Sequence, residues 1–224
     1  MSNYTLGSVV LAGLLAATHA HATDVVFTGF AHGSQTVQYT LGGTNAARSG
    51  SVSAGGFATS LNGGPSFESY CVDLYQTITF NTHYPEYTGP GTTHVFNNGN
   101  AYADLGRLYA RAGVVANAVA EAAFQIAVWE IAYEKTSNAY NLASGDAKFF
   151  GGTANPAALT MASGWLSSLG AAGPAIQVLE SRTHQDVIYA PVPEPETYAM
   201  LLAGLAAVGF VSRRQRRDGR SIRA

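Results

Sequence analysis

The chain has 224 residues, 25 of them glycine, with 47% hydrophobic, 11% aromatic and 12% charged residues and a formal net charge of -2. That balance excludes an intrinsically disordered chain, because there is enough apolar surface for a core, and a nucleic-acid binder, because there is no basic face for a polyanion. A single cysteine excludes an intramolecular disulfide framework and any cysteine-rich zinc or iron–sulfur site.

The charge is segregated. Six of the 12 Lys and Arg residues lie in the last 12 positions, whereas residues 23–191 hold six basic residues against 11 acidic ones. An acidic body therefore precedes a basic tail. At the other end, Leu6 to Ala17 is apolar and uncharged and leads to Ala20-His21-Ala22. That small-x-small pattern marks a secretory signal cut after Ala22 by signal peptidase, although no Lys or Arg precedes the run.

The body opens with strand-like segments. Asp24 to Phe30 and Thr36 to Leu41 are rich in β-branched and aromatic residues. Gly42-Gly43, Gly55-Gly56 and Gly63-Gly64-Pro65 punctuate them as turns. Ser66 to Phe80 reads as the longest strand. Asn81 to Asn100 reads as loop, with a short strand at His94 to Phe96. The Ala-rich stretches Ala101 to Ala112 and Val114 to Lys135 read as helices separated by Gly113. A third helix opens with Asn155 as cap and Pro156 in first place, and runs to Leu169 before Gly170. Strands close the body at Ala175 to Leu179 and Asp186 to Tyr189. The expected fold is α+β: a β-sandwich or barrel-like antiparallel sheet with an inserted helical subdomain.

Two residues stand out. In the second helix, Val115, Ala118, Ala122, Gln125, Trp129 and Ala132 share a face by their three-and-four spacing, and Gln125 is its one polar member. A buried carboxamide must find hydrogen bonds or be used chemically. Cys71 lies between Tyr70 and Val72 in a predicted strand, where a free thiol behaves as a small hydrophobe or, in an exported chain, as an intermolecular disulfide partner.

Together, Tyr70-Cys71 on a strand and Gln125-Ile126-Ala127-Val128-Trp129 on a helix 54 residues later resemble the Cys-Gln thioester domain of bacterial surface adhesins. In that family an aromatic residue precedes the cysteine and the glutamine opens a Gln-x-Ala-Ile-Trp motif. Val128 replaces Ile here, and Phe124 stands where some members carry Thr. The resemblance spans about Ser66 to Leu169. It implies a Cys71–Gln125 thioester that acylates a nucleophile on a surface or matrix partner, shielded by Tyr70, Phe124 and Trp129. Glu121 and Asp73 are the nearest candidate proton acceptors, each otherwise a solvated acid.

The tail begins Val192-Pro193-Glu194-Pro195-Glu196-Thr197. The apolar run Tyr198 to Val211 follows, then Arg213, Arg214, Arg216 and Arg217. Fourteen apolar residues are fewer than the roughly 20 that usually span a bilayer, but small residues and a terminal arginine cluster suit a membrane helix held from the cytoplasmic side. The order of Pro193-Glu194-Pro195, apolar helix and arginines resembles the PEP-CTERM sorting signal of Gram-negative bacteria. The resemblance implies recognition by an exosortase, cleavage near the Pro-Glu-Pro motif and release to the surface or to an extracellular, exopolysaccharide-associated matrix. The expected organisation is a signal peptide at 1–22, an extracellular domain at 23–190, the motif and linker at 191–197, a transmembrane helix at 198–212 and a basic cytoplasmic tail at 213–224.

No cofactor, no metal and no turnover enzyme are expected. His32, His83, His94 and His184 are scattered, without His-x-x-x-His spacing, and there is no nucleophile elbow or phosphate loop. The rival to covalent attachment is a non-covalent structural or carbohydrate-binding matrix protein with an unbonded Cys71, its Tyr and Asn residues stacking on and hydrogen-bonding sugars.

Overall fold

The computed structural model describes residues 22–43, 47–152, 156–191 and 203–205. Its elements are β1 (Thr23–Phe30), β2 (Gln35–Leu41), β3 (Arg48–Ala54), β4 (Phe57–Leu61), β5 (Phe67–Cys71), β6 (His83–Gly91), α1 (Ala101–Ala112), α2 (Ala118–Tyr133), β7 (Ala147–Phe150), α3 (Pro156–Leu166), β8 (Gln177–Glu180) and β9 (Val187–Tyr189).

Six strands close an antiparallel barrel in the order β1-β4-β5-β9-β8-β6, and β3-β2-β7 form a second, smaller sheet. The barrel alternative is thus the one that forms. Alternation explains the closure: Thr23, Val25 and Phe27 of β1 are buried while Thr28 is exposed. Rings of Phe27, Phe57, Tyr84 and Tyr87 from three strands meet inside, with Phe27 5.5 Å from Phe57 and 6.1 Å from both tyrosines. The helices and β7 are inserted between β6 and β8 and cover one side of the barrel.

Three expectations are corrected. The segment read as loop, 81–100, contains β6, a nine-residue strand, whereas His94 to Phe96 is not a strand. Thr, Pro and Gly weaken β6 by composition, but pairing with both β1 and β8 holds it extended. The expected long strand ends at Cys71; residues 72–82 are irregular because their polar groups bond to side chains and turns. Two strands of the small sheet, β3 and β7, and barrel strand β4 carry little periodic signal; β7 in particular pairs with β2, about 100 residues earlier in the chain.

α2 starts four residues later than expected. Gly113 takes φ +66° and Asn117 caps the helix, its Oδ1 accepting from the N–H groups of Val119 (3.2 Å) and Ala120 (3.0 Å). Val115 therefore lies outside it. Every residue from Ala120 to Tyr133 is buried. The one-sided apolar face read from the spacing is replaced by a helix enclosed on all sides, packed against α1, α3, β5 and the small sheet. Of the terminal segments, Ala20, Asn155, Pro193, Glu194, Pro195 and the arginines 213, 214, 216 and 217 lie outside the described residues. So does most of the expected membrane span, of which 203–205 are helical. Among the described residues no helix is long and apolar enough to cross a membrane.

Candidate functional site at the seam of β5 and α2

The barrel is closed, but the β4–β5 ladder is short, because β4 begins only at Phe57. The ladder between them ends at the Phe57–Ser69 pair, so Cys71, two residues further along β5, has no β4 partner. Its main chain is completed from α2 instead. The Cys71 N–H donates to Gln125 Oε1 at 3.0 Å, and Gln125 Nε2 donates to the Cys71 carbonyl at 2.7 Å. Both residues are essentially inaccessible, Cys71 at 1% and Gln125 at 0% exposure. The structure thus brings the two sequence candidates into direct contact, with the carboxamide lying along the cysteine's own peptide groups. The Cys71 thiol donates to the Asp73 carbonyl at 3.0 Å.

The contact belongs to a longer stripe. Residues four apart on α2 track successive positions of the strand and the loop after it. Glu121 Oε2 accepts from Tyr70 Oη–H (3.0 Å) and from the Gly56 N–H (3.0 Å), just before β4 begins. Gln125 serves Cys71, and Trp129 lies beside its sulfur. Tyr133 Oη accepts from the Leu74 N–H at 2.7 Å. Burial pushes the Cys71 thiol up to about 12, against the smaller opposing pull of the Trp129 indole and the hydrogen bond to the Asp73 carbonyl.

Of the residues expected to wall the pair, Tyr70 and Phe124 pack with centroids 4.4 Å apart, and Trp129 stacks on Phe149 at 5.9 Å with a 14° interplanar angle. The two candidate proton acceptors are placed otherwise than expected. Glu121 is fully buried rather than solvated, and its carboxylate is taken up by Tyr70, Gly56 and His32 Nδ1 (2.6 Å), not by the sulfur. Asp73 turns its carboxylate to the Tyr75 N–H at 2.7 Å and offers Cys71 only its main-chain carbonyl.

The histidines that look scattered along the chain acquire acidic partners. Ligand atoms of His32, Glu68 and Glu121 lie within 4.8 Å of one another, as do those of His94, Glu180 and Asp186. Among the described residues, these are the groups with the donor types and proximity to hold a cation. Their side chains already engage one another, His94 Nδ1 with Glu180 Oε1 at 2.7 Å and His32 with Glu121. A cleft of about 130 Å³ is lined by Val72, Asp73, His94, Tyr133 and Asp186 among others, Val72 and Asp73 being the two residues that follow Cys71 in the chain. Burial raises the Asp186 carboxyl to about 6. A larger cavity of about 530 Å³ is lined by Phe67, Glu68, Tyr109 and Tyr189 with neighbouring apolar residues. Sequence reasoning missed Glu68, which meets the Tyr70 hydroxyl, and Tyr133 and Asp186, which lie near Cys71. The i+8 spacing from Gln125 to Tyr133 is the one signal that points to any of them.

A protein-family model described as the PEP-CTERM protein-sorting motif matches residues 191–217. The chain carries an exosortase-sorting signal. The PEP-CTERM motif implies a protein exported across the membrane, recognised by exosortase, and delivered to the cell surface or outside the cell. The motif begins at Pro191, directly after the last barrel strand, so it is joined to the folded body by almost no linker. No curated protein and no solved structure matches the chain.

Proposed function

We propose that this exported PEP-CTERM protein is a stoichiometric attachment device, not a turnover enzyme, and that Cys71 and Gln125 form an internal thioester. The observation that carries the reading is their contact: two residues 54 apart in sequence, both sealed from solvent, with the carboxamide held by two hydrogen bonds against the cysteine. The Cys71 N–H that holds Oε1 is placed to stabilise the oxyanion as sulfur adds to the carboxamide carbon. The S–C bond forms, the C–N bond breaks, and the thiol proton leaves with the nitrogen as ammonia. A partner nucleophile, such as an amine or a sugar hydroxyl, then takes the acyl group, and its proton returns to the sulfur. The dry setting of Tyr70, Phe124 and Trp129 protects the acyl group from hydrolysis. The cleft lined by Val72 and Asp73, the residues after Cys71, is the proposed side of approach for the partner.

The second reading is a non-covalent structural or carbohydrate-binding matrix protein. The same two hydrogen bonds favour it, because they also complete a satisfied core glutamine that replaces the missing β4 ladder. Burial of the thiol favours it too. Intact mass and thiol titration of the processed protein separate the two. Covalent chemistry gives a mass lower by one ammonia and no reactive thiol. A full-mass protein whose native thiol titrates stoichiometrically, with binding undiminished in Cys71→Ala, overturns it.

The finer points of sorting are proposed on the same footing. Signal peptidase acts after Ala22, the 198–212 segment anchors the chain transiently with its arginines in the cytoplasm, and exosortase cuts near Pro193-Glu194-Pro195.

A further inference from the structure

The thioester reading leaves one buried donor without a role. Trp129 follows Gln125 by one turn of α2 and is 1% exposed. Its ring is fixed by the stack on Phe149. Yet its Nε1–H is buried and makes no hydrogen bond of ordinary geometry among the described residues. Burying a donor without an acceptor is costly, and a phenyl ring would fill much of this apolar site without that cost. The group that the indole N–H neighbours is the Cys71 sulfur.

We propose that Trp129 is a catalytic donor to sulfur, its Nε1–H hydrogen-bonding Cys71 Sγ as negative charge gathers there. The proposal rests on the thioester reading. A neutral thiol or thioester sulfur is a weak acceptor, which explains why the donor is poorly satisfied in the resting protein. A thiolate is a strong one. The interaction therefore strengthens as the thiol gives up its proton to attack Gln125, and again as the S–C bond breaks and sulfur departs during acyl transfer. An interaction stronger in the transition state than in the ground state is one that accelerates a reaction. Trp129 keeps its own proton in both steps; the protons that move belong to the thiol, the departing ammonia and the incoming nucleophile. The same N–H offsets part of the burial that opposes thiolate formation.

The test uses the full exported protein and replaces Trp129 with 3-benzothienylalanine, which keeps the bicyclic shape and the stack but has sulfur where the indole has N–H. Trp129→Phe serves as a second variant that loses stack and donor together. Thioester content is read as the ammonia deficit in intact mass, and acyl transfer as the rate of mass gain and thiol release with methylamine. The benzothienyl variant is expected to keep the wild-type melting temperature and to react with methylamine on the order of tenfold more slowly. Trp129→Phe is expected to be at least as slow. A benzothienyl variant that carries the thioester and reacts at the wild-type rate overturns the donor role and leaves the thioester reading standing. A wild-type protein of full mass overturns the thioester reading and the donor role with it.

Discussion

Tyr70 has one hydroxyl hydrogen and two carboxylates within reach: Glu68 Oε1 at 2.8 Å and Glu121 Oε2 at 3.0 Å. It can donate to one of them at a time, so the trio is comfortable only with an additional proton. Burial, followed by the adjoining Glu121, raises Glu68 from about 4.5 to about 8. The folded protein then binds this proton across a range in which the unfolded chain has released it. Stability from this group is full below pH of about 4.5 and is lost as pH rises through about 8. The expected result is a melting temperature that declines across that window, and a shallower decline in Glu68→Gln. Thermal melts at a series of pH values check it; identical slopes in the two proteins would contradict the shared proton. Gly56 is part of the arrangement, because a Cβ there would meet Glu68 Oε1 and Glu121 Oε2.

At the scale of elements, α2 is the organiser. Its side chains supply what the barrel's missing ladder does not: a carboxylate for the Gly56 N–H and a carboxamide for the Cys71 peptide groups. The register of that stripe depends on where the helix begins, which Asn117 fixes. Asn117→Ala removes the acceptor for the Val119 and Ala120 N–H groups and is expected to cost about 1 kcal/mol. Chemical denaturation measures this; an unchanged midpoint would mean that packing alone sets the start of α2. Glu130 shows the cost of enclosing the helix on all sides. It is fully buried, its Oε2 has no partner among the described residues, and burial first, then Glu134, raises it to about 8 even though its other oxygen accepts from the Asn141 N–H at 2.7 Å.

For the whole molecule, the barrel ends almost where the sorting motif begins, β9 at Tyr189 and the motif at Pro191. Deleting residues 198–224 leaves every barrel strand and both sheets in place. That truncation is expected to yield a folded body that escapes exosortase processing, read as loss of the processed product on immunoblots of cell and medium fractions. Release of the same mature product from the truncated chain would refute a sorting role for the tail.

The sequence by itself determined the sorting signal, because linear order read by a processing enzyme requires no fold. It also set the helices, through Ala-rich runs bounded by Gly113 and Pro156, and the strands β1 and β2, through local β-branched and aromatic runs. β6 and β7 were not legible, since their pairing energy comes from residues far away in the chain. Tertiary structure alone decided that the sheet closes into a barrel and that α2 is enclosed rather than one-sided. The pairing of Cys71 with Gln125 was suggested by two short motifs. Their contact arises because β4 begins two residues too late to pair with Cys71 and a helix side chain completes the orphaned peptide groups. The lone cysteine that excluded a disulfide framework is thus buried where a polar side chain from a distant helix must meet it.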